Sequence, residues 1–201
     1  MSGNDHSQAL PYLKRAVEIQ PKLTRNQQNL AVCLLGLKQY SEAETKLSKV
    51  IEQNPKFPMA HYHLALLKEE MGLYREAREA YAKEIALLKD FIPARFNLGR
   101  LLLKQGDRRG YVGHMEEIVK INPRSAKGHL FLARGLLYES QDYDQILGLV
   151  NKGLEYAQES ELKALGYFLM ADVYNRKKEP TRVREALKKA NYYKEKSKQE
   201  K

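Results

Sequence analysis

With 201 residues, 43% of them hydrophobic and 30% charged, the chain is long enough to bury a core and too apolar to be disordered. Its single cysteine, Cys33, excludes an internal disulfide, a thiolate zinc site and a dithiol redox pair, and a reducing cytoplasm is the favoured compartment. The formal net charge of +10 invites acidic partners, but residues 176–201 hold 11 basic against 4 acidic side chains, so most of the excess belongs to the C-terminal end.

No run approaches the ~18 apolar residues that a membrane-spanning helix needs. The opening MSGNDHSQ is polar where a secretory signal is basic and then apolar. Residues 8–22 hold half of a pattern that is completed later: Ala9, Leu13, Ala16 and Pro21 stand 34 residues before Ala43, Leu47, Val50 and Pro55. A lone helix is expected here, the remnant of a repeat, as in a piece taken from a longer protein. It should start between Ser7 and Leu10, because Pro11 lacks a donor and favours a first turn.

Residues 24–57 place Leu30, Ala31 and Leu34, then Ala43, Leu47, Val50 and Ile51, at helical spacing in two runs divided near Gly36 and Tyr40. This predicts a helical hairpin. Ser41 followed by Glu44 reads as a capping box at the start of the second helix, and Pro55 ends it. Small residues at Ala31 and Ala43 let the two helices approach closely, with Leu34, Tyr40 and Leu47 filling the space around the contact.

Residues 58–91 repeat the pattern with Leu64, Ala65, Gly72, Tyr74, Ala77 and Tyr81, although Lys89 stands where a proline would close the unit. Residues 92–125 keep Leu98, Gly99, Gly106, Ile118 and Pro123 but place Arg108 and Tyr111 where the other units have an aromatic residue and an alanine. Gly110 and Gly113 each disfavour a helix by about 1 kcal/mol relative to alanine, so GYVGHMEE is expected to be a weak or distorted turn. Residues 126–160 keep Leu132, Ala133 and Leu136, after which Tyr143, Ile146 and Val150 fall one place late, which predicts a loop longer by one residue. Residues 161–193 restart at Met170 and Ala171, followed by Tyr174, Val183, Leu187 and Ala190, with Pro180 opening the second helix. Beyond Ala190 apolar periodicity is lost, so residues 194–201 are expected to fray as a basic tail.

The leucine ahead of the small residue recurs at positions 30, 64, 98 and 132, a fixed period of 34 residues that marks a stack of identical supersecondary units. Period and residues together resemble the tetratricopeptide repeat (TPR): a large residue before Gly or Ala, then an aromatic residue, Ala, an aromatic or leucine, Ala and Pro. The resemblance covers roughly residues 8–190. It implies an all-α fold, a right-handed superhelix of antiparallel hairpins forming a single solenoid domain over residues 1–201, and a protein-interaction module without chemistry of its own.

The resemblance also implies a concave groove lined by the first helix of each hairpin, at positions flanking the leucine–small pair. These are Gln28, Asn29 and Val32; Tyr62, His63 and Leu66; Phe96, Asn97 and Arg100; and Leu130, Phe131 and Arg134, with Lys127 at the entrance of the fourth hairpin. Aromatic and aliphatic side chains supply anchoring area, Asn29 and Asn97 offer donor and acceptor to a peptide backbone, and Arg100 and Arg134 suit a carboxylate. The family's carboxylate clamp is excluded, because Tyr62 and Leu66 take the places of its first Lys and Asn, and Phe131 that of its final Arg. The asparagine ladder of long superhelical members is matched in part, by Asn29 and Asn97 with His63 between them, and stops at Phe131.

Catalysis finds no support. His61 and His63 are two apart and so on different helix faces, and no zinc-protease helix motif, phosphate loop or nucleophile elbow occurs. No metal or cofactor is expected, and the partner is expected to be a protein or peptide. Two other readings stand behind this one: an accessory domain of a larger enzyme or assembly factor, and nucleic-acid binding through the basic C-terminal residues. The hairpin assignment itself predicts that Ala77→Leu overpacks the second unit and lowers unfolding free energy by about 1–3 kcal/mol in a denaturant melt.

Overall fold

The computed structural model describes residues 3–200, in which all regular structure is helical. The helices are α1 (Gly3–Ile19), α2 (Thr24–Gly36), α3 (Tyr40–Gln53), α4 (Ala60–Glu70), α5 (Tyr74–Leu87), α6 (Ile92–Lys104), α7 (Arg108–Ile121), α8 (Ala126–Glu139), α9 (Tyr143–Tyr156), α10 (Ser160–Arg176) and α11 (Pro180–Gln199). They pair as five antiparallel hairpins behind the lone α1. The chain falls into two compact units, Met1–Ala94 and Arg95–Lys201.

In the first unit Leu30, Ala31, Leu34, Ala43, Leu47 and Leu67 form one buried cluster, with Leu10, Leu13 and Val17 of α1 packed against it. Ala31, Ala43, Ala65 and Ala77 are all fully buried, as small residues at a close helix–helix approach must be. Helix α1 closes the open side of α2: the His6 ring lies against Gly36, Cys33 Sγ donates to His6 O at 3.1 Å, and Asn26 Nδ2 donates to Ala16 O at 3.1 Å. It starts at Gly3 and carries Pro11 in its interior, so the expected start between Ser7 and Leu10 is corrected by more than a turn. Packing on α2 outweighs the one hydrogen bond that proline forfeits.

Two charged groups tie the hairpins of this unit. Glu84, fully buried on α5, accepts from Met59 N at 2.8 Å and Tyr62 N at 3.1 Å, so its carboxylate caps the amino end of α4 and is compensated by the orphan amides there. Lys68 on α4 sits between Glu44 of α3 at 2.7 Å and Glu76 of α5 at 2.6 Å. Burial works against its charge, but the two carboxylates outweigh it and hold the ammonium pKa above its ordinary value. Glu44 is thereby taken from the expected capping box: no side chain caps α3, and the Ser41 carbonyl accepts from Thr45 Oγ1 instead.

In the second unit Leu130, Ala133, Leu137, Ile146, Val150, Leu169 and Val173 form the buried cluster that joins α8, α9 and α10. The distorted turn expected at Gly110 and Gly113 does not occur; α7 runs unbroken from Arg108. Asp107 caps it, accepting from Gly110 N at 2.8 Å, and a Cβ at Gly110 would collide with that carboxylate. Tyr111, in the place of the usual alanine, is buried and donates from its hydroxyl to Phe131 O at 2.7 Å. Room for its ring comes from Gly135, where an added Cβ would lie 2.8 Å from Tyr111 Cε1. Large and small have changed places between α7 and α8.

The hairpin loops span residues 37–39, 71–73, 105–107, 140–142 and 177–179. In four of them the middle residue is left-handed: Lys38, Gly72, Gly106 and Lys178. The fourth instead continues from an extended Ser140, and Asp142 caps α9 through Gln145 N. Its extra residue therefore lies in α8, which has 14 residues against 13 in α2 and α6, rather than in the loop as expected. The C-terminal end also departs from expectation: α11 stays helical to Gln199, and Ser160 Oγ donates to Glu200 Oε1 at 2.9 Å, fixing it to the start of α10. Gly135→Ala is predicted to lower stability by about 1–3 kcal/mol in a urea titration. Gly148→Ala, where an added Cβ meets nothing within 4 Å, is expected to be neutral or to stabilise by up to about 1 kcal/mol.

Candidate functional site

The first helices of the second unit bring six of the sequence-predicted residues together. On α8, Lys127, Phe131 and Arg134 recur at four- and three-residue intervals and share one stripe, as do Phe96 and Arg100 on α6 with Asn97 beside them. The Phe96 and Phe131 rings meet edge to face with centroids 4.9 Å apart. Lys127 Nζ stands 3.9 Å from the Phe96 centroid and 5.8 Å from that of Phe131, so its cation is held by ring quadrupoles. Phe131 is fixed from behind by the Tyr111 hydroxyl on its carbonyl, and Arg134 is near enough for its charge to temper the rise that burial gives the Tyr111 phenol pKa. Lys127, Arg100 and Arg134 are exposed, while Phe96, Asn97 and Phe131 are half-buried; Leu130, expected on the groove, is instead fully buried in the core cluster.

The six predicted residues of the first unit divide differently. Gln28 is 8% exposed and donates to Pro58 O at 3.1 Å, which commits it to packing. Tyr62 sits among rings, 5.2 Å from Phe91, 6.0 Å from Tyr81 and 5.5 Å from His63 between centroids. His63 is half-buried, its Nδ1 has no hydrogen-bond partner, and burial pushes its pKa down to about 4. Asn29 is exposed, and Val32 and Leu66 are half-buried. His61, on a different helix face from His63, is 7% exposed, with Nε2 3.1 Å from Pro55 O.

Phe168 escaped the sequence reading. It is 36% exposed on α10 and stands two residues before Met170, as Phe96 stands two before Leu98 and Tyr62 two before Leu64. The repeat ruler points to it once the 38-residue step into the fifth unit is allowed. Tyr138 was also missed; it is 59% exposed, with the Arg108 and Arg176 guanidinium carbons 5.5 and 5.9 Å from its ring centroid.

A separate cleft of about 360 Å³ in the first unit is lined by residues including Ser48, Ile51, His61, Lys68 and Glu76. Its one buried cation, Lys68, is already matched by two carboxylates. Among the described residues no group of three or more His, Cys, Asp or Glu side chains is placed to hold a metal ion, and no helix is long and apolar enough to cross a membrane.

The tetratricopeptide-repeat sequence profile matches residues 1–68. The fold extends that likeness over most of the chain. A TPR protein, YrrB, described as having an unusual peptide-binding site, superposes with a TM-score of 0.72 at 18% identity, covering 90% of this chain and 91% of that one. The fold of this chain is that of tetratricopeptide-repeat structures, and its first 68 residues match the repeat's sequence profile. PilF of Pseudomonas aeruginosa gives a TM-score of 0.76 at 16% identity, with 91% of this chain and 82% of that one covered. MamA of Desulfovibrio magneticus RS-1 gives 0.71 at 17%, covering 86% and 96%. No curated protein matches the sequence.

The state of His63 makes stability pH-dependent in this chain. An unfolded histidine takes its proton near pH 6.5, whereas folded His63 resists until about pH 4. Between those values the unfolded state binds more protons, so the contribution of a neutral His63 is complete above pH 6.5 and is lost as pH falls through 4, each pKa unit being worth about 1.4 kcal/mol. Thermal midpoints should therefore fall between pH 6.5 and 4, and less steeply in His63→Phe. His114, whose pKa burial also lowers, accounts for part of the slope that persists.

Proposed function

We propose that this protein is a non-catalytic scaffold that captures a segment of a partner polypeptide on the first-helix face of its hairpins, and that its repeats work as a single array. The observation that carries the reading is the cluster of Phe96, Phe131 and Lys127 with Arg100 and Arg134. Large aromatic groups stand at the surface beside exposed cations, on positions that the repeat pattern does not require for packing. Such a mixture suits an extended or short helical segment, apolar side chains entering between the rings and polar groups setting register. The peptide-binding site described for YrrB is in keeping with this use of the fold. The 34-residue period runs on from Leu64 to Leu98, which favours one array.

The continuous α11, with seven basic and two acidic residues, gives some support to nucleic-acid binding instead. Arg182 and Lys198 are, however, partly neutralised by Glu179 and Glu195. The groove reading is tested by Phe96→Ala combined with Arg100→Ala. Partner capture in a pull-down is expected to be lost while helicity by circular dichroism is unchanged; retained capture would remove this reading.

A further inference from the structure

The α6–α8 surface of the second unit is selective in charge as well as apolar. Helix α6 carries no acidic residue, and the only one on α8 is Glu139 at its last position. The second unit as a whole has 22 basic and 14 acidic residues, a net +8, whereas the first unit is near neutral at +2. Among the described residues neither Lys127 nor Arg134 has a carboxylate within ion-pair distance, whereas Arg176, Arg182 and Lys198 on or beside α10 and α11 each pair with an acid three or four residues away. Two exposed cations thus stand unneutralised on either side of an aromatic pair.

We infer that this surface takes an acidic, extended polypeptide segment in which two carboxylates flank one apolar side chain in alternation, acid–any–apolar–any–acid. The inference rests on the groove reading above and adds to it the chemistry and spacing of the ligand. Lys127 and Arg134 are seven residues apart on α8, about 10 Å along the helix axis. In an extended chain, residues two and four places apart point to the same side, about 7 and 13 Å away. The central apolar residue then falls on the Phe96–Phe131 pair, and the two acids reach Lys127 and Arg134, the remaining few ångströms being taken up by the long basic arms. Acids three places apart would face opposite sides and engage only one cation. The Lys127 ammonium is already held over Phe96, so little side-chain freedom is lost when a carboxylate arrives. Arginine at the other end offers a fork for bidentate contact.

The test uses the full chain and labelled nine-residue peptides centred on Glu-Ser-Leu-Ser-Glu, read by fluorescence anisotropy at low and high salt. Replacing both glutamates by glutamine is expected to weaken binding about tenfold or more, as is moving them to adjacent positions. Lys127→Ala with Arg134→Ala should abolish the difference in affinity between the acidic and the neutral peptide; both positions are exposed, and circular dichroism checks the fold. Phe131→Ala should weaken both peptides. Equal binding of acidic and neutral peptides, both lost in Phe131→Ala, overturns the charge selectivity and leaves the groove standing. No measurable binding of any peptide, or binding indifferent to Phe131→Ala, overturns the groove as well. A single-stranded oligonucleotide that binds more tightly than the acidic peptide, and is released by the same double substitution, also overturns the inference by assigning the cations to phosphate.

Discussion

Close approach of two antiparallel helices is the condition on which the structure depends. Ala31 with Ala43 and Ala65 with Ala77 remove side-chain bulk at the crossing, and Leu34, Leu47, Leu67 and Tyr81 fill what surrounds it. A hairpin built this way buries only one side of itself, so each must lean on its neighbour, and the fixed period follows from that need. Helix α1 meets the same need for the first hairpin, bringing Leu10, Leu13 and Val17 onto the open side of α2.

The contact tolerates exchange as long as total volume is kept. Tyr111 brings a ring into the alanine position, and Gly135 on the facing helix gives up even a methyl group to receive it. The exchange has a consequence for the surface, since the Tyr111 hydroxyl bonds the carbonyl of Phe131 and so sets the backbone from which that ring projects. A departure from the repeat pattern in the core is in this way coupled to a departure on the face.

The period, the leucines and the small residues were legible in the sequence because helical spacing and close packing constrain them directly. What sequence reasoning misplaced depends on contacts outside the repeat pattern, two of the three between segments far apart in the chain. Glu44 looks like a cap beside Ser41 until Lys68 arrives from the next hairpin. Gly110 and Gly113 look like breakers until Asp107 caps the helix they belong to. The end of α11 looks like a solvated tail until Glu200 meets Ser160, forty residues earlier. On the candidate surface, Phe96, Lys127 and Phe131 were named through the family resemblance, whereas their mutual contact and the diversion of Gln28 into packing depend on tertiary structure that the sequence does not display.

The central claim is that residues shared by the repeats hold the fold and residues that differ between them recognise a partner. Alanine substitutions along the single helix α8, each read for thermal midpoint and for affinity toward the acidic peptide, test it most directly. The account predicts that the two losses separate by face, with the midpoint falling chiefly at Leu130, Leu132 and Leu137 and the affinity falling chiefly at Lys127, Phe131 and Arg134. Affinity unchanged at those last three positions, or losses of both kinds at the same positions, would contradict it.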